Sequence, residues 1–254
     1  MRQGVQDLAN FYATPLGLAV GRLISRKIRE VWGGASGLDV LGIGYAAPFL
    51  HGLDLSARRV VAAMPAGMGA RTWPGHAANR ACLVADGALP FGNALFDRVL
   101  ATHALEESEN LAGLLTELHR ILSPSGRAIL AVPARHGLWA DAEVSPFGHG
   151  RPFSRRQLEA LVREADLEPM GWTRALYLPP FAWAAPWSDA FEQLGCRIFP
   201  PFAGVILMEA AKQTFAVRPS GYPARRQIRR SPSFQPAPIG GKIVGHESAH
   251  RTQI

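Results

Sequence analysis

The sequence has few cysteines and no long apolar run. Its two cysteines, Cys82 and Cys196, lie far apart without CxxC or histidine spacing. This pattern argues against a structural metal or a disulfide framework, and it is typical of the reducing cytoplasm. No stretch reaches the roughly 18 apolar residues that a membrane helix needs, so we expect no membrane span. The apolar run at 16–24 is interrupted by glycine and arginine and lacks a cleavage site, so we expect no signal peptide and a cytoplasmic location.

Acidic residues are scarce towards the end of the chain, and this accounts for the net charge of +7. From Gln213 onward there are seven arginines and lysines and one acid, Glu247, which leaves the preceding residues nearly neutral. A basic tail differs from a basic binding face, so nucleic-acid binding is not the favoured interpretation. The Pro/Ser/Arg-rich composition of 214–254 predicts a disordered tail.

Apolar periodicity divides the rest of the chain into an N-terminal helical cap at 1–32 and one domain at 33–213. In the cap, apolar residues recur at three- and four-residue steps, and Pro15 must begin or break a helix. Short apolar runs predict strands at 38–41, 59–64, 82–85, 96–101, 127–132 and 204–211, with helices at 110–122 and 154–165. Strands that alternate with helices predict an α/β fold with a doubly wound, mostly parallel sheet.

The first predicted strand runs into the motif Gly42-Ile43-Gly44-Tyr45-Ala46. Glycine lets a ligand approach the backbone closely, and a following helix would present free N–H groups. Three interpretations remain open for this motif. It could be a ligand-binding loop, an ordinary tight turn, or a Gly-x-Gly-x-x-Ala dinucleotide fingerprint.

Further along, Asp86-Gly87-Ala88 follows a strand, Leu89-Pro90-Phe91 leads into the next strand, and His103 follows that one. A leucine-rich helix and the apolar run 128–132 complete the order. This order resembles the class I S-adenosylmethionine (SAM) dependent methyltransferases, especially the small-molecule, type 11-like branch. The resemblance covers about 36–210 and is most specific at 84–165.

The resemblance implies a seven-stranded, three-layer Rossmann-like domain with SAM as its cofactor. It implies cofactor contacts from the residues of the Gly-x-Gly loop and of three strand ends: Gly42, Gly44, Tyr45, Ala46, Met64, Asp86, Gly87, Ala88 and His103. The first half departs from the family pattern. Met64 stands where an acid normally binds the ribose, no acid occurs between Asp54 and Asp86, and the acid near the glycines is Asp39, one position early.

The resemblance also suggests where a methyl acceptor would bind. The insertion at 135–153 lies over the acceptor pocket in related enzymes, so Trp139, His149 and Arg151 are candidates, together with Tyr12 from the cap. His103 is the candidate catalytic base, and a polar rim residue is the simpler alternative. We expect Glu106 and Glu107 to begin the next helix. The histidines lack the spacing and the third ligand of a zinc site, so we expect no metal.

Three functions follow from these observations. The first is methyl transfer from SAM to a small or lipid-like acceptor, with no defined oligomeric state. The second is a non-catalytic binding or regulatory protein with the same fold, suggested by Met64, Ala46 and Asp39. The third is a dinucleotide oxidoreductase, which rests on Gly-x-Gly-x-x-Ala alone. The aromatic residues at 172–191 could wall an acceptor pocket, fill the core or form a dimer contact.

Overall fold

The computed structural model describes residues 2–54, 56–140, 142 and 145–212. A seven-stranded sheet forms its centre, with strands β1 (Asp39–Gly44), β2 (Arg59–Pro65), β3 (Ala81–Val84), β4 (Phe96–Thr102), β5 (Leu122–Pro133), β6 (Leu167–Ala175) and β7 (Val205–Lys212). Six α-helices accompany it: α1 (Val5–Ala13), α2 (Pro15–Trp32), α3 (Ala47–Asp54), α4 (Leu111–Ile121), α5 (Arg155–Glu164) and α6 (Ser188–Ile198). The predicted tail, 214–254, lies outside the described residues.

The strand order is β3-β2-β1-β4-β5-β7-β6. The first five strands pair in parallel, whereas β7 runs antiparallel to both β5 and β6. The order reverses between β1 and β4, which is the switch point where open α/β sheets bind ligands beyond their carboxyl ends. The predicted mostly parallel, doubly wound sheet of seven strands is confirmed.

Alternate residues of each strand enter two separate cores, because successive side chains of a strand point to opposite faces. Val40, Leu100 and Ile129 pack with α1, α2 and α3 on one face. Leu41 and Val99 pack with α4 and α5 on the other face. Both faces of the central strands are therefore covered, which explains why these strands are apolar throughout.

Two elements have weak sequence signals. Strand β6 lies at the sheet edge, is largely exposed, and has an irregular register between Pro169 and Gly171, so it lacks a continuous apolar run. Helix α6 lies within the Pro- and aromatic-rich segment. The expectation that Glu106 and Glu107 begin a helix is wrong: α4 begins after Asn110, whose side chain accepts a hydrogen bond from the N–H of Gly113 at 3.0 Å.

The N-terminal cap consists of two helices that meet at a sharp corner. Pro15 occupies the first turn of α2, and the hydroxyl of Thr14 caps this helix by accepting a hydrogen bond from Gly17 at 3.0 Å. A Cβ on Gly17 would lie 2.0 Å from the carbonyl oxygen of Phe11, so only glycine allows the two helices to approach this closely. The predicted break at Pro15 is confirmed. No helix within the described residues is long and apolar enough to cross a membrane.

Candidate functional site

The Gly-x-Gly motif forms a tight turn at the carboxyl end of β1. Gly44 has a φ of 82°, and a Cβ there would lie 2.1 Å from the carbonyl oxygen of Thr102. The N–H of Tyr45 then donates to that same oxygen at 2.9 Å. A Cβ on Gly42 would lie 2.6 Å from the Cβ of Ala46, so the first glycine makes room for the start of α3. Both glycines are therefore needed for close contacts within the protein, at Ala46 and at Thr102.

Met64 marks the end of β2, at the position expected to contact the ribose. Its side chain is buried, and its sulfur accepts a weak hydrogen bond from the backbone N–H of Arg71 at 3.3 Å. No acidic side chain of the described residues replaces it among the residues lining the adjoining pocket of about 560 Å³. The ribose side of the expected cofactor site is therefore apolar at Met64.

Asp39, the early acid of the motif, lies at the opposite edge of the sheet. It begins β1, and its carboxylate accepts two hydrogen bonds from Arg58, at 3.0 Å and 2.5 Å. These hydrogen bonds lower the pKa of Asp39, against the opposing effect of burial. Asp39 therefore stabilises the amino-terminal edge of the sheet and lies away from the switch point.

Asp86 lies at the carboxyl edge, in the turn after β3, where the resemblance places the adenine amine. Its two carboxylate oxygens accept hydrogen bonds from the guanidinium group of Arg2 at 3.1 Å and 2.8 Å. The hydroxyl of Ser108 donates to the same carboxylate at 2.7 Å. Asp86, Gly87 and Arg2 line a pocket of about 290 Å³. Ala88 follows in the same turn and is exposed.

The N-terminal segment therefore occupies the carboxyl edge. The guanidinium group of Arg2 also lies 3.9 Å from Glu107, and the backbone N–H of Gln3 donates to that carboxylate at 3.1 Å. Burial raises the pKa of Glu107, and the Gln3 hydrogen bond opposes this shift. Helix α1 continues across the edge, and the N–H of Val5, its first residue, donates to the carbonyl of Met68 at 2.8 Å. A ligand that uses Asp86 must displace Arg2.

A buried chain of polar groups lies beneath α1. The hydroxyl of Tyr12 lies 2.8 Å from Nε2 of His103, and Nδ1 of His103 lies 3.3 Å from a carboxylate oxygen of Glu106. A neutral imidazole protonated at Nδ1 satisfies both contacts, with the Tyr12 hydroxyl as donor. Burial, with a contribution from Glu106, holds the pKa of Tyr12 well above its ordinary value, so this hydroxyl keeps its proton at neutral pH.

The His103–Glu106 arrangement carries two signs of functional constraint. His103 has a φ of 51°, a left-handed conformation that strains a residue with a side chain. The carboxylate of Glu106 is buried, and apart from the 3.3 Å approach of Nδ1 of His103 its oxygens have no hydrogen-bond partner among the described residues, which is costly for a buried polar group. The ring of Tyr12 stacks on Tyr45, with 5.8 Å between their centroids, so the chain adjoins the Gly-x-Gly turn.

The remaining acceptor candidates lie in different environments. Trp139 is fully buried, and its indole N–H donates to the carbonyl of Leu178 at 2.6 Å. His149 is half-buried in the loop before α5. Arg151 is exposed and donates to the carbonyl of Ser108 at 2.8 Å, near the Asp86 side. Of the four candidates, only Tyr12 belongs to the buried Tyr12–His103–Glu106 chain. The roles of all four in acceptor binding stay predictions.

Arg2, Glu106 and Ser108 belong to this site but were not among the site residues that the sequence predicted. Glu106 follows His103 by three residues, a spacing that could have suggested a contact. Arg2 is separated from Asp86 by 84 positions, and no local pattern connects them. No group of three or more His, Cys, Asp or Glu side chains suitable for a metal ion occurs in the described parts of the chain.

Comparisons with solved structures agree on the fold. A 1,6-didemethyltoxoflavin N1-methyltransferase from Burkholderia thailandensis, solved with S-adenosylhomocysteine, is 19% identical with a TM-score of 0.53, and the match covers 82% of each chain. A SAM-dependent methyltransferase from Thermotoga maritima is 15% identical with a TM-score of 0.54, covering 82% of this chain and 96% of that one. The [4+2]-cyclase SpnF is 17% identical with a TM-score of 0.52, and the match covers 76% of this chain and 81% of that one.

The sequence itself matches at the level of the family. No curated protein matches the chain. A family model described as a methyltransferase domain matches residues 32–170, which is more than half of the chain and spans β1 to the start of β6. With the strand order, the switch point and the turn after β1, this match establishes that the chain belongs to the methyltransferase-domain family.

Proposed function

We propose that this protein transfers a methyl group from SAM to a small or lipid-like acceptor. The observation that carries the proposal is Asp86: a carboxylate at the carboxyl edge of a methyltransferase-family sheet, beside a pocket of about 290 Å³. SAM-dependent neighbours, one of them solved with S-adenosylhomocysteine, support this choice of cofactor.

The residues present fit the adenosine part of SAM. Asp86 can accept a hydrogen bond from the adenine amine, and the exposed backbone of Gly87 and Ala88 flanks the same turn. Tyr45, whose hydroxyl has no hydrogen-bond partner among the described residues, lines the larger pocket next to Met64 and offers a polar group to the ribose. The hydroxyl of Thr102 is buried without a partner in the described part of the chain and adds a polar atom at the same edge.

SAM supplies an electrophilic methyl group on a sulfonium. The task of the chain is to hold this group and the acceptor in line, which can contribute several kcal/mol without an acid–base pair. Where the acceptor must lose a proton, the Tyr12 hydroxyl can take it while passing its own proton to Nε2 of His103, and Glu106 would stabilise the imidazolium that forms.

Titration calorimetry with SAM tests the proposal. Asp86→Ala should weaken binding about ten- to a hundredfold, since it removes a hydrogen bond to a charged group. Arg2→Ala should instead strengthen binding, because Arg2 competes for Asp86. Arg156→Ala, an exposed arginine on α5, is the matched control and should leave SAM affinity unchanged. Absence of heat at millimolar SAM in both the unmodified protein and Arg2→Ala would contradict the proposal.

A second candidate function is favoured by the Arg2–Asp86 pair itself. If this pair is permanent, the fold serves as a binding or regulatory protein without methyl transfer, and the [4+2]-cyclase neighbour shows that the fold supports other activities. Transfer of a labelled methyl group from SAM to any component of a cell extract would exclude this candidate.

A further inference from the structure

The pocket of about 560 Å³ extends well beyond the expected cofactor contacts. It lies between α2, the start of α3 and the segment that follows β2, and Tyr45 and Met64 form its inner end. Arg22, Arg29 and Arg71 also line it. Its volume is within the range of small-molecule sites.

The three arginines have no counter-charge in the part of the chain that the structure describes. Within the described residues, none of their guanidinium groups makes a hydrogen bond or an ion pair, and no acidic side chain lines the pocket. Three other arginines, Arg2, Arg58 and Arg120, each contact a carboxylate. Several positive charges in one concave region focus a field that attracts anions.

The position of the arginines on the fold concentrates this charge. Arg22 and Arg29 are seven residues apart on α2, so they lie on the same face, about 10 Å apart along the helix axis. A terminal nitrogen of Arg29 lies 3.4 Å from the position of a Cβ on Gly52, which places this side chain against α3. Arg71 is close enough to Tyr45 to oppose the rise in pKa that burial causes in the Tyr45 hydroxyl.

The rest of the lining suits an organic molecule. Trp73 is buried, its ring lies 5.8 Å from that of His51, and its indole N–H has no hydrogen-bond partner in the described part of the chain. Met64 and Pro48 add apolar surface. Because Met64, and not an acid, stands near the end of β2, no carboxylate of the described residues neutralises the inner end.

We propose that this pocket binds a small molecule carrying a phosphate or pyrophosphate group, held by Arg22, Arg29 and Arg71. Guanidinium groups match phosphate oxygens with paired hydrogen bonds, and they stay charged at all relevant pH values. The aromatic and apolar lining then contacts the organic part of the ligand. The arginines lie in a different pocket from Asp86, although Tyr45 and Met64 at the inner end are also the expected ribose contacts, and the proposal does not depend on methyl transfer.

Titration calorimetry of the full chain with inorganic pyrophosphate tests the phosphate contacts. We expect saturable binding with one site, and Arg22→Gln and Arg71→Gln should each weaken it about tenfold or more. Like the pocket arginines, Arg156 on α5 is exposed, but it does not line the pocket, so Arg156→Gln removes the same charge and should have no effect. Phenyl phosphate should also bind. Phenol should not bind, because it lacks the phosphate group that the arginines hold.

The basic tail needs its own control, because it could bind pyrophosphate by charge alone. The double variant Arg229→Gln with Arg230→Gln should leave the affinity for pyrophosphate unchanged. The proposal would be overturned if this variant, or Arg156→Gln, lost as much affinity as the pocket variants. No binding at millimolar pyrophosphate would also overturn it. Asp86→Ala should leave pyrophosphate binding intact, so failure of SAM binding and failure of this site are distinguishable. Unchanged circular dichroism of each variant confirms that folding is preserved.

Discussion

At the scale of single residues, the acid closest in sequence to the glycine motif does not lie at the cofactor edge of the sheet. Asp39 is close to the Gly-x-Gly turn in sequence but begins β1, so a strand's length separates it from the carboxyl edge. The carboxylate that does lie at the carboxyl edge is Asp86, in the turn after β3. The sequence predicts the location of Asp86 because the end of β3 fixes it, whereas its partner Arg2 depends on the tertiary fold.

Acid sensitivity should report the Asp39–Arg58 contact. The hydrogen bonds from Arg58 lower the pKa of Asp39 in the folded state, so this carboxylate stabilises the fold above its ordinary pKa, and the contribution is lost as pH falls through the lowered value. Arg58→Gln should therefore move the acid-unfolding midpoint to higher pH. Denaturant unfolding measured from about pH 2 to about pH 7 checks this.

Arg59→Gln provides the graded control for this prediction. Its guanidinium group lies 3.7 Å from Asp39 without a hydrogen bond, so it should shift the midpoint less than Arg58→Gln. The unmodified protein and Arg58→Gln should converge at the lowest pH, where Asp39 is protonated in both. A difference that persists unchanged at that pH would show that Arg58 acts through something other than this carboxylate.

At the scale of elements, helix α1 and the residues before it occupy the polar groups of the candidate site. Arg2 and Gln3 hold its beginning through Asp86 and Glu107, and Tyr12 holds its other end through His103. All of these contacts are made to the carboxyl edge of the sheet. The helix and the ligand-binding edge therefore share the same polar groups.

Removing one hydroxyl from α1 should weaken this attachment. Tyr12→Phe leaves Nε2 of buried His103 without its partner, so the free energy of unfolding should fall by about 1–3 kcal/mol. Tyr45→Phe removes the same atom from a ring that stacks on Tyr12, but this hydroxyl has no partner among the described residues, and the change should stay within about 0.5 kcal/mol. Chemical denaturation measures both, and equal losses would contradict the role given to the Tyr12–His103 contact.

The elements differ in how far the sequence predicts them. The central strands are short apolar runs because the sheet is covered on both faces, and each was located to within a few residues except for the early start of β5. Strand β6 is interrupted by Pro169 and Gly171 and is largely exposed, so its pattern is lost. The Arg2–Asp86 and Tyr12–His103 contacts join residues 84 and 91 positions apart, and they follow from packing, which no local pattern encodes.

At the scale of the whole molecule, the residues around α6 leave a cluster of large apolar side chains exposed. These are Phe181, Trp183, Trp187, Leu194, Ile198, Phe199 and Phe202. The sequence left three interpretations for the aromatic run, and the structure places Trp183 and Trp187 outside the core, about 65% and 64% exposed. Exposed apolar clusters of this kind promote self-association.

Polar substitution at this cluster should leave the fold unchanged. Trp183→Ser with Trp187→Ser should alter the free energy of unfolding by less than about 1 kcal/mol, because neither ring fills the core. The same variant should scatter less light at high concentration. Trp139→Ser is the contrasting control: this ring is fully buried, so its loss should cost about 3–5 kcal/mol. A large loss of stability in the double variant would show that the α6 aromatics support the core.

The pocket that Trp73 lines has a consequence for spectroscopy. Trp32, Trp73 and Trp139 are buried, while Trp172, Trp183 and Trp187 are partly or largely exposed. A water-soluble quencher such as acrylamide should therefore extinguish the emission of the exposed group first. Of the three indoles that remain fluorescent, only Trp73 borders the arginine-lined pocket, so the residual emission gives a direct optical signal of occupancy there.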